Sequence, residues 1–134
     1  MSVADVTEKS IAELVSLNGR SAVVTGGAQG LGRAIAKRLA EAGANVMIGD
    51  RNADLAIAAA AELDAQSTGE VIACVMDVSD AETVLNAAQK ADERFGGIDI
   101  WVNNAGGLPD GTPRWLTRTS EEQFMAQIDL NIKA

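Results

Sequence analysis

With 134 residues, 47% of them hydrophobic, the chain has the size and composition of one globular domain around one core. Its 11 basic and 19 acidic residues leave a net charge of −8, which repels phosphate backbones and argues against nucleic acid as a partner. His and Tyr are absent and Cys74 is the single cysteine, so an internal disulfide, a cysteine-based metal site and a histidine base are excluded, and no metal is expected.

Residues 1–18 read as an N-terminal arm. They lack the basic start and continuous apolar run of a secretory signal, and no stretch of the chain approaches the ~18 apolar residues of a membrane span. No membrane partner and a cytoplasmic location are therefore expected. Ser10 and Glu13 have capping-box spacing, with Ile11, Leu14 and Val15 as a small apolar face, so the arm is expected to hold one short helix. Partner contact and disorder fit the arm equally well.

From Gly19 onward the pattern alternates. Apolar, β-rich runs occupy 21–25 ("SAVVT"), 45–50 ("NVMIGD"), 71–77 ("VIACVMD") and 98–104 ("IDIWVNN"). Helical stretches lie between them at 30–42, stopped by Gly43, at 53–66, and at 79–97, where Ser79 and Glu82 have capping-box spacing. Strand–helix alternation predicts a parallel sheet with crossover helices, and the unbroken apolar strands predict cover on both faces. Right-handed crossovers around a central first strand give the order 3-2-1-4. Cys74, inside the third run, reads as a buried structural thiol. Residues 105–119 read as a loop, and a helix is expected from Ser120, with Gln123 at capping-box spacing and Phe124, Ile128 and Ile132 on one face.

The chemistry sits at the ends of these strands. The first runs into "TGGAQGLG", residues 25–32. A Gly-rich turn opening a helix lets backbone approach a pyrophosphate, and the helix start offers unpaired N–H groups. Gly26 supplies the turn, and Gly30 and Gly32 permit close approach. Asp50 ends the second strand, 18 residues past Gly32, where a carboxylate can accept both ribose hydroxyls of adenosine and repel a 2′-phosphate. Arg51 beside it could instead bind such a phosphate, and Asp50, Arg51 and Asn52 would also serve as a plain helix-capping turn. Asp77 and the run Asn103 to Gly106 bring polar groups to the same edge.

In this combination the chain resembles the short-chain dehydrogenase/reductase family. The resemblance covers residues 19–134 in family order: Thr25 to Gly32, Asp50, Asp77-Val78, Asn103 to Gly106, and Asn131 within "DLNIKA". It implies an α/β, three-layer Rossmann fold as the domain at 19–134, and hydride transfer between NAD and a secondary alcohol or ketone. Gly26, Gly30, Leu31 and Gly32 would line the pyrophosphate, Asp50 would hold the ribose, and Asp77 and Val78 would flank the adenine. Gln29, where relatives that use NADP often carry a basic residue, fits NAD. Asn104, Ala105 and Gly106 would pass under the cofactor ribose, and Asn131 would help hold a water in a proton relay. Complete relatives are usually homo-oligomers, dimers or tetramers.

The family's chemistry also needs a Ser and a Tyr-x-x-x-Lys, and this chain has no Tyr. Its sheet would stop at the fourth strand, with an apolar edge. Three readings follow: a truncated piece of an NAD-dependent oxidoreductase that keeps the cofactor site, a naturally short non-catalytic nucleotide-binding protein, and a scaffold that binds partners through its edge strand.

Overall fold

A computed structural model of the protein describes residues 5–108, 111 and 115–133. Residues 1–4 of the expected arm, 109–110 and 112–114 of the expected loop, and Ala134 lie outside the described residues. In chain order the elements are α1 (Ile11–Leu14), β1 (Ser21–Thr25), α2 (Gly30–Glu41), β2 (Asn45–Asp50), α3 (Ala53–Asp64), β3 (Val71–Val75), α4 (Ala81–Phe95), β4 (Ile100–Val102) and α5 (Glu121–Ile128). A short 3-10 turn at Leu116–Arg118 precedes α5, and a π-helical turn at Asp129–Lys133 follows it.

The four strands form one parallel sheet in the order β3-β2-β1-β4, as the alternation predicts. Successive side chains of a strand point to opposite faces, which divides the core into two layers. Ala22 and Val24 of β1 and Val46 and Ile48 of β2 meet Ala36 and Ala40 of α2 and Ala56, Ala59, Ala60 and Leu63 of α3. Val23 and Met47 face the other way, onto Met76 and onto Ala87 and Ala91 of α4. Alanines on the inward helix faces let the helices lie close to the sheet. Each large aliphatic side chain buried here stabilises the fold by roughly 1.5–3 kcal/mol.

The inner strands are covered on both faces, and all five residues of β1 are buried. The outer strands β3 and β4 are only partly buried. Cys74 on β3 is accordingly half-buried rather than enclosed, with its side chain at the margin of the second layer.

Several boundaries differ from the sequence reading for identifiable reasons. β3 ends at Val75 rather than 77, because the Asp77 amide donates to the Thr83 hydroxyl (3.0 Å) instead of to a strand. β4 is shorter than 98–104, because the Asn104 amide turns to the Thr25 hydroxyl. α4 is capped by Asp80, whose carboxylate accepts from the Glu82 amide (3.0 Å), while the Ser79 hydroxyl donates to Asp77 (2.6 Å). The capping boxes at Ser10–Glu13 and Ser120–Gln123 are present as expected. The stripe expected from Phe124 to Ile132 is interrupted by the π-helical turn, which changes the residue spacing per turn; Phe124 and Ile132 are 47% and 72% exposed.

Candidate functional site

β1 delivers the first part of the site. Thr25, its last residue, is 2% exposed, and its hydroxyl donates to the Val102 carbonyl (3.3 Å) while accepting from the amides of Asn104 (3.0 Å) and Ala105 (2.9 Å). One side chain thereby ties the Gly-rich turn to the segment leaving β4. Asn104 answers from the other side, its Nδ2 donating to the carbonyls of Thr25 (2.9 Å) and Gly26 (3.2 Å).

Glycine is required within this knot. Gly26 has φ +63, outside the comfortable range of other residues. A Cβ on Gly32 would lie 2.2 Å from the Gly26 carbonyl oxygen and 2.5 Å from Asn104 Nδ2. The absence of a Cβ is what allows the first turn of α2 to pack directly against the Gly-rich turn.

The start of α2 is unusual in this molecule. Its N-cap, Gln29, makes no side-chain capping hydrogen bond. The other four described α-helices begin with a side-chain cap, from Ser10, Asn52, Asp80 and Ser120. The first N–H groups of a helix have no partner within it, so α2 presents free donors and the positive end of its dipole.

The second wall comes from β2 and β3. Asp50 Oδ2 accepts from the Ala28 amide (3.2 Å) and Oδ1 from the Asn52 amide (3.0 Å). Asp77 accepts from the Ser79 hydroxyl and amide, and these bonds, with the nearby Arg51 charge adding to them, hold its carboxyl below the ordinary aspartate value. Met76 lies under Gly49, where its Cε would be 2.6 Å from an added Cβ.

Between these walls is a cleft of about 300 Å³ at the carboxyl ends of the strands. Of the residues expected to hold a cofactor, Gly26, Gln29, Leu31, Gly32, Asp50, Arg51, Asp77, Val78, Asn104, Ala105 and Gly106 all line it. Gly30 does not: with φ +56 it shapes the turn, and it borders a groove between α2 and α3 instead. Asn131 is also off the cleft wall. Its Oδ1 accepts from the Gly107 amide (2.8 Å), and its Nδ2 donates to the carbonyls of Gly107 (3.0 Å) and Gln127 (2.9 Å). The side chain thus clamps the loop after β4 to the π-helical turn rather than pointing its amide into the cleft.

Met76, Gly107, Leu108 and Leu130 also line the cleft, and the Thr25 hydroxyl knots the two segments; no motif in the sequence points to these roles. Short of a motif, a hydroxyl ending an aliphatic strand was a usable signal for Thr25. The leucines carry no local signal. Among the described residues, no group of three or more His, Cys, Asp or Glu could hold a metal, and no helix is long and apolar enough to cross a membrane.

A parallel sheet with a Gly-rich first crossover and a cleft at the strand tips defines the Rossmann class of α/β proteins. Within that class the assignment is narrower. Residues 20–134 match the short chain dehydrogenase family, and the chain belongs to this short-chain dehydrogenase/reductase family of oxidoreductases. It is 44% identical over 117 residues to an uncharacterized oxidoreductase of Mycobacterium bovis, a match covering 87% of this chain and 45% of that protein. A dehydrogenase/reductase from Sinorhizobium meliloti 1021 superimposes with a TM-score of 0.83 at 36% identity, over 93% of this chain and 48% of the other. A short chain dehydrogenase from Burkholderia cenocepacia J2315, solved in complex with NADP, does so with a TM-score of 0.76 at 39% identity, over 87% of this chain and 46% of the other. The chain spans less than half the length of each of these relatives.

Proposed function

We propose that this chain holds the adenosine and pyrophosphate of a nicotinamide dinucleotide, NAD in preference to NADP, as part of an oxidoreductase acting on a secondary alcohol or ketone. The observation that carries the reading is the uncapped start of α2, opening on a cleft that the Asp50 carboxylate also lines. Free N–H donors suit a pyrophosphate, and the neighbouring acceptor suits ribose hydroxyls. Gly26, Leu31 and Gly32 with Gln29 form the phosphate side. Asp77 and Val78 lie where the adenine would rest, and Asn104, Ala105 and Gly106 under the ribose that carries nicotinamide. Gly30 and Asn131 act on the shape of this site from outside its wall.

The preference for NAD follows from charge. Asp50 and Asp77 line the ribose end, and among the described lining residues the one cation is Arg51, whose charge is felt weakly by Asp77. A 2′-phosphate would meet two carboxylates against this one guanidinium. The bound cofactor would supply the hydride chemistry at its nicotinamide ring; the residues of this chain bind and orient it. With no Tyr in the 134 residues, the proton donor that the family uses is absent, so nucleotide binding without turnover is expected of this chain alone. A homo-oligomer and a cytoplasmic setting belong to the same reading.

Calorimetric titration with NAD and NADP tests it. NAD is expected to bind at least about tenfold more tightly, and Asp50→Ala to weaken NAD by about tenfold or more, the loss of a charged hydrogen bond. A folded chain without saturable NAD binding refutes the reading. Reduction of NAD by the isolated chain with any of a panel of alcohols refutes the expected inactivity. Genomic sequence past codon 134 distinguishes a fragment, which continues in frame to a Tyr-x-x-x-Lys, from a naturally short nucleotide binder.

A further inference from the structure

We infer that Asp50 is a positioning residue for the Gly-rich turn, so that nucleotide selectivity and the phosphate cradle are coupled through one carboxylate. The inference rests on the proposed nucleotide site and adds a role within it.

The turn is held from two sides. Toward β4 the clamp is Thr25 and Asn104. Toward β2 it consists of the Gly27 amide donating to the Gly49 carbonyl (3.2 Å) and the Ala28 amide donating to Asp50 Oδ2 (3.2 Å). Ala28 is 6% exposed and packed in the core layer shared by α2 and α3, so water is a poor substitute for that acceptor. Gly27 is pressed onto the same strand, where an added Cβ would be 3.0 Å from Ile48 Cγ2. The turn therefore takes its position from the tip of β2.

Asp50 divides its oxygens. Oδ2 holds the turn and Oδ1 holds the Asn52 amide at the start of α3. A carboxylate has about four lone-pair sites, which leaves about two for ribose hydroxyls. The same group can thus hold the turn and the ribose together. Truncating the side chain to admit a 2′-phosphate also removes the acceptor that positions the phosphate-binding turn. Replacing residue 50 with a side chain that has no acceptor should therefore not exchange one dinucleotide for the other.

Amide hydrogen exchange followed by NMR, on the full chain without nucleotide, reads the tether directly. In Asp50→Ala the Ala28 amide is expected to exchange at least about tenfold faster, while Val23 and Val24 within β1 keep their wild-type rates. Asp50→Asn retains one carbonyl oxygen and should restore Ala28 protection to within about threefold of wild type, yet still bind NAD weakly. Parallel titrations should show Asp50→Ala binding NADP no better than wild type does. An Ala28 rate that is the same in all three proteins overturns the inference. So does equal acceleration across β1, or NADP affinity that rises in Asp50→Ala. Absence of NAD binding in the wild type would instead refute the nucleotide site, and the exchange rates would still decide whether the tether exists.

Discussion

Thr25→Val is the sharpest test of how the site is assembled. Valine has nearly the shape of threonine, so the substitution removes a hydroxyl and little else. Three interactions disappear: the bond to the Val102 carbonyl and the acceptor for the amides of Asn104 and Ala105. A donor stranded in the interior costs about 1–3 kcal/mol. Thr25 is 2% exposed, so no water replaces its oxygen, but Asn104 and Ala105 are only partly buried and belong in the lower half of that range. Two such donors give a loss of about 2–4 kcal/mol. Thr25→Ser keeps the hydroxyl and removes one methyl, for about 1 kcal/mol. Urea unfolding followed by circular dichroism measures both. Thr25→Val within about 0.5 kcal/mol of wild type, or equal losses in the two variants, would refute the claim that the hydroxyl ties the turn to the segment after β4.

Gly32→Ala should destabilise the chain by about 3 kcal/mol and abolish nucleotide binding, because the clash is with a backbone carbonyl that has nowhere to go; an alanine variant that titrates NAD normally would contradict this. Asp80→Ala removes the cap of α4 and should lower stability by about 1 kcal/mol in the same unfolding assay, whereas Ser79→Ala should leave α4 capped. Asp99 is held below the ordinary aspartate value first by the Ser21 amide and then by Arg20, and Asp77 by the Ser79 hydroxyl and amide. A folded value below the unfolded one contributes stability that is present above the unfolded value of 3.8 and is lost as pH falls through the folded one. Unfolding midpoints should thus hold steady down to about pH 5 and fall below about pH 4, with a shallower fall in Asp99→Asn. Identical acid profiles for that variant and wild type would remove Asp99 from the account.

The layout of strands and helices was legible because burial on both faces leaves long apolar runs such as "SAVVT" and "NVMIGD", and Gly43 and Gly96 mark helix ends directly. The cleft was largely legible for a related reason: a parallel sheet brings every strand's carboxyl end to one edge. Boundaries were less so. "VIACVMD" is apolar to its sixth residue, and only the Thr83 hydroxyl, six positions after Asp77, takes the chain off the sheet. Ser79 and Asp80 are both good caps, and the choice between them depends on Asp77 claiming Ser79 first. The π-helical turn at Asn131 is a tertiary event: its side chain is drawn to Gly107, 24 residues away, and no local pattern encodes that.

The junction between β1 and β4 has a consequence for the order in which the molecule is made. Val24 pairs with Ile48 on one side, 24 positions along the chain, and with Val102 on the other, 78 positions along. The second closure encloses a far longer loop and is repaid by only three register pairs, Ala22 with Ile100, Val23 with Trp101 and Val24 with Val102. Side-chain clasps guard both ends of this seam, Thr25 at the cleft and Asp99 with Ser21 at the opposite end. The three strands β3, β2 and β1 can assemble from near neighbours, and β4 is expected to dock onto them last. The cleft straddles that seam, with Asn104 to Leu108 on one bank and Gly26 and Asp50 on the other. A nucleotide bridging the two banks would act as a late-stage fastener, its binding energy adding to the step in which β4 joins β1.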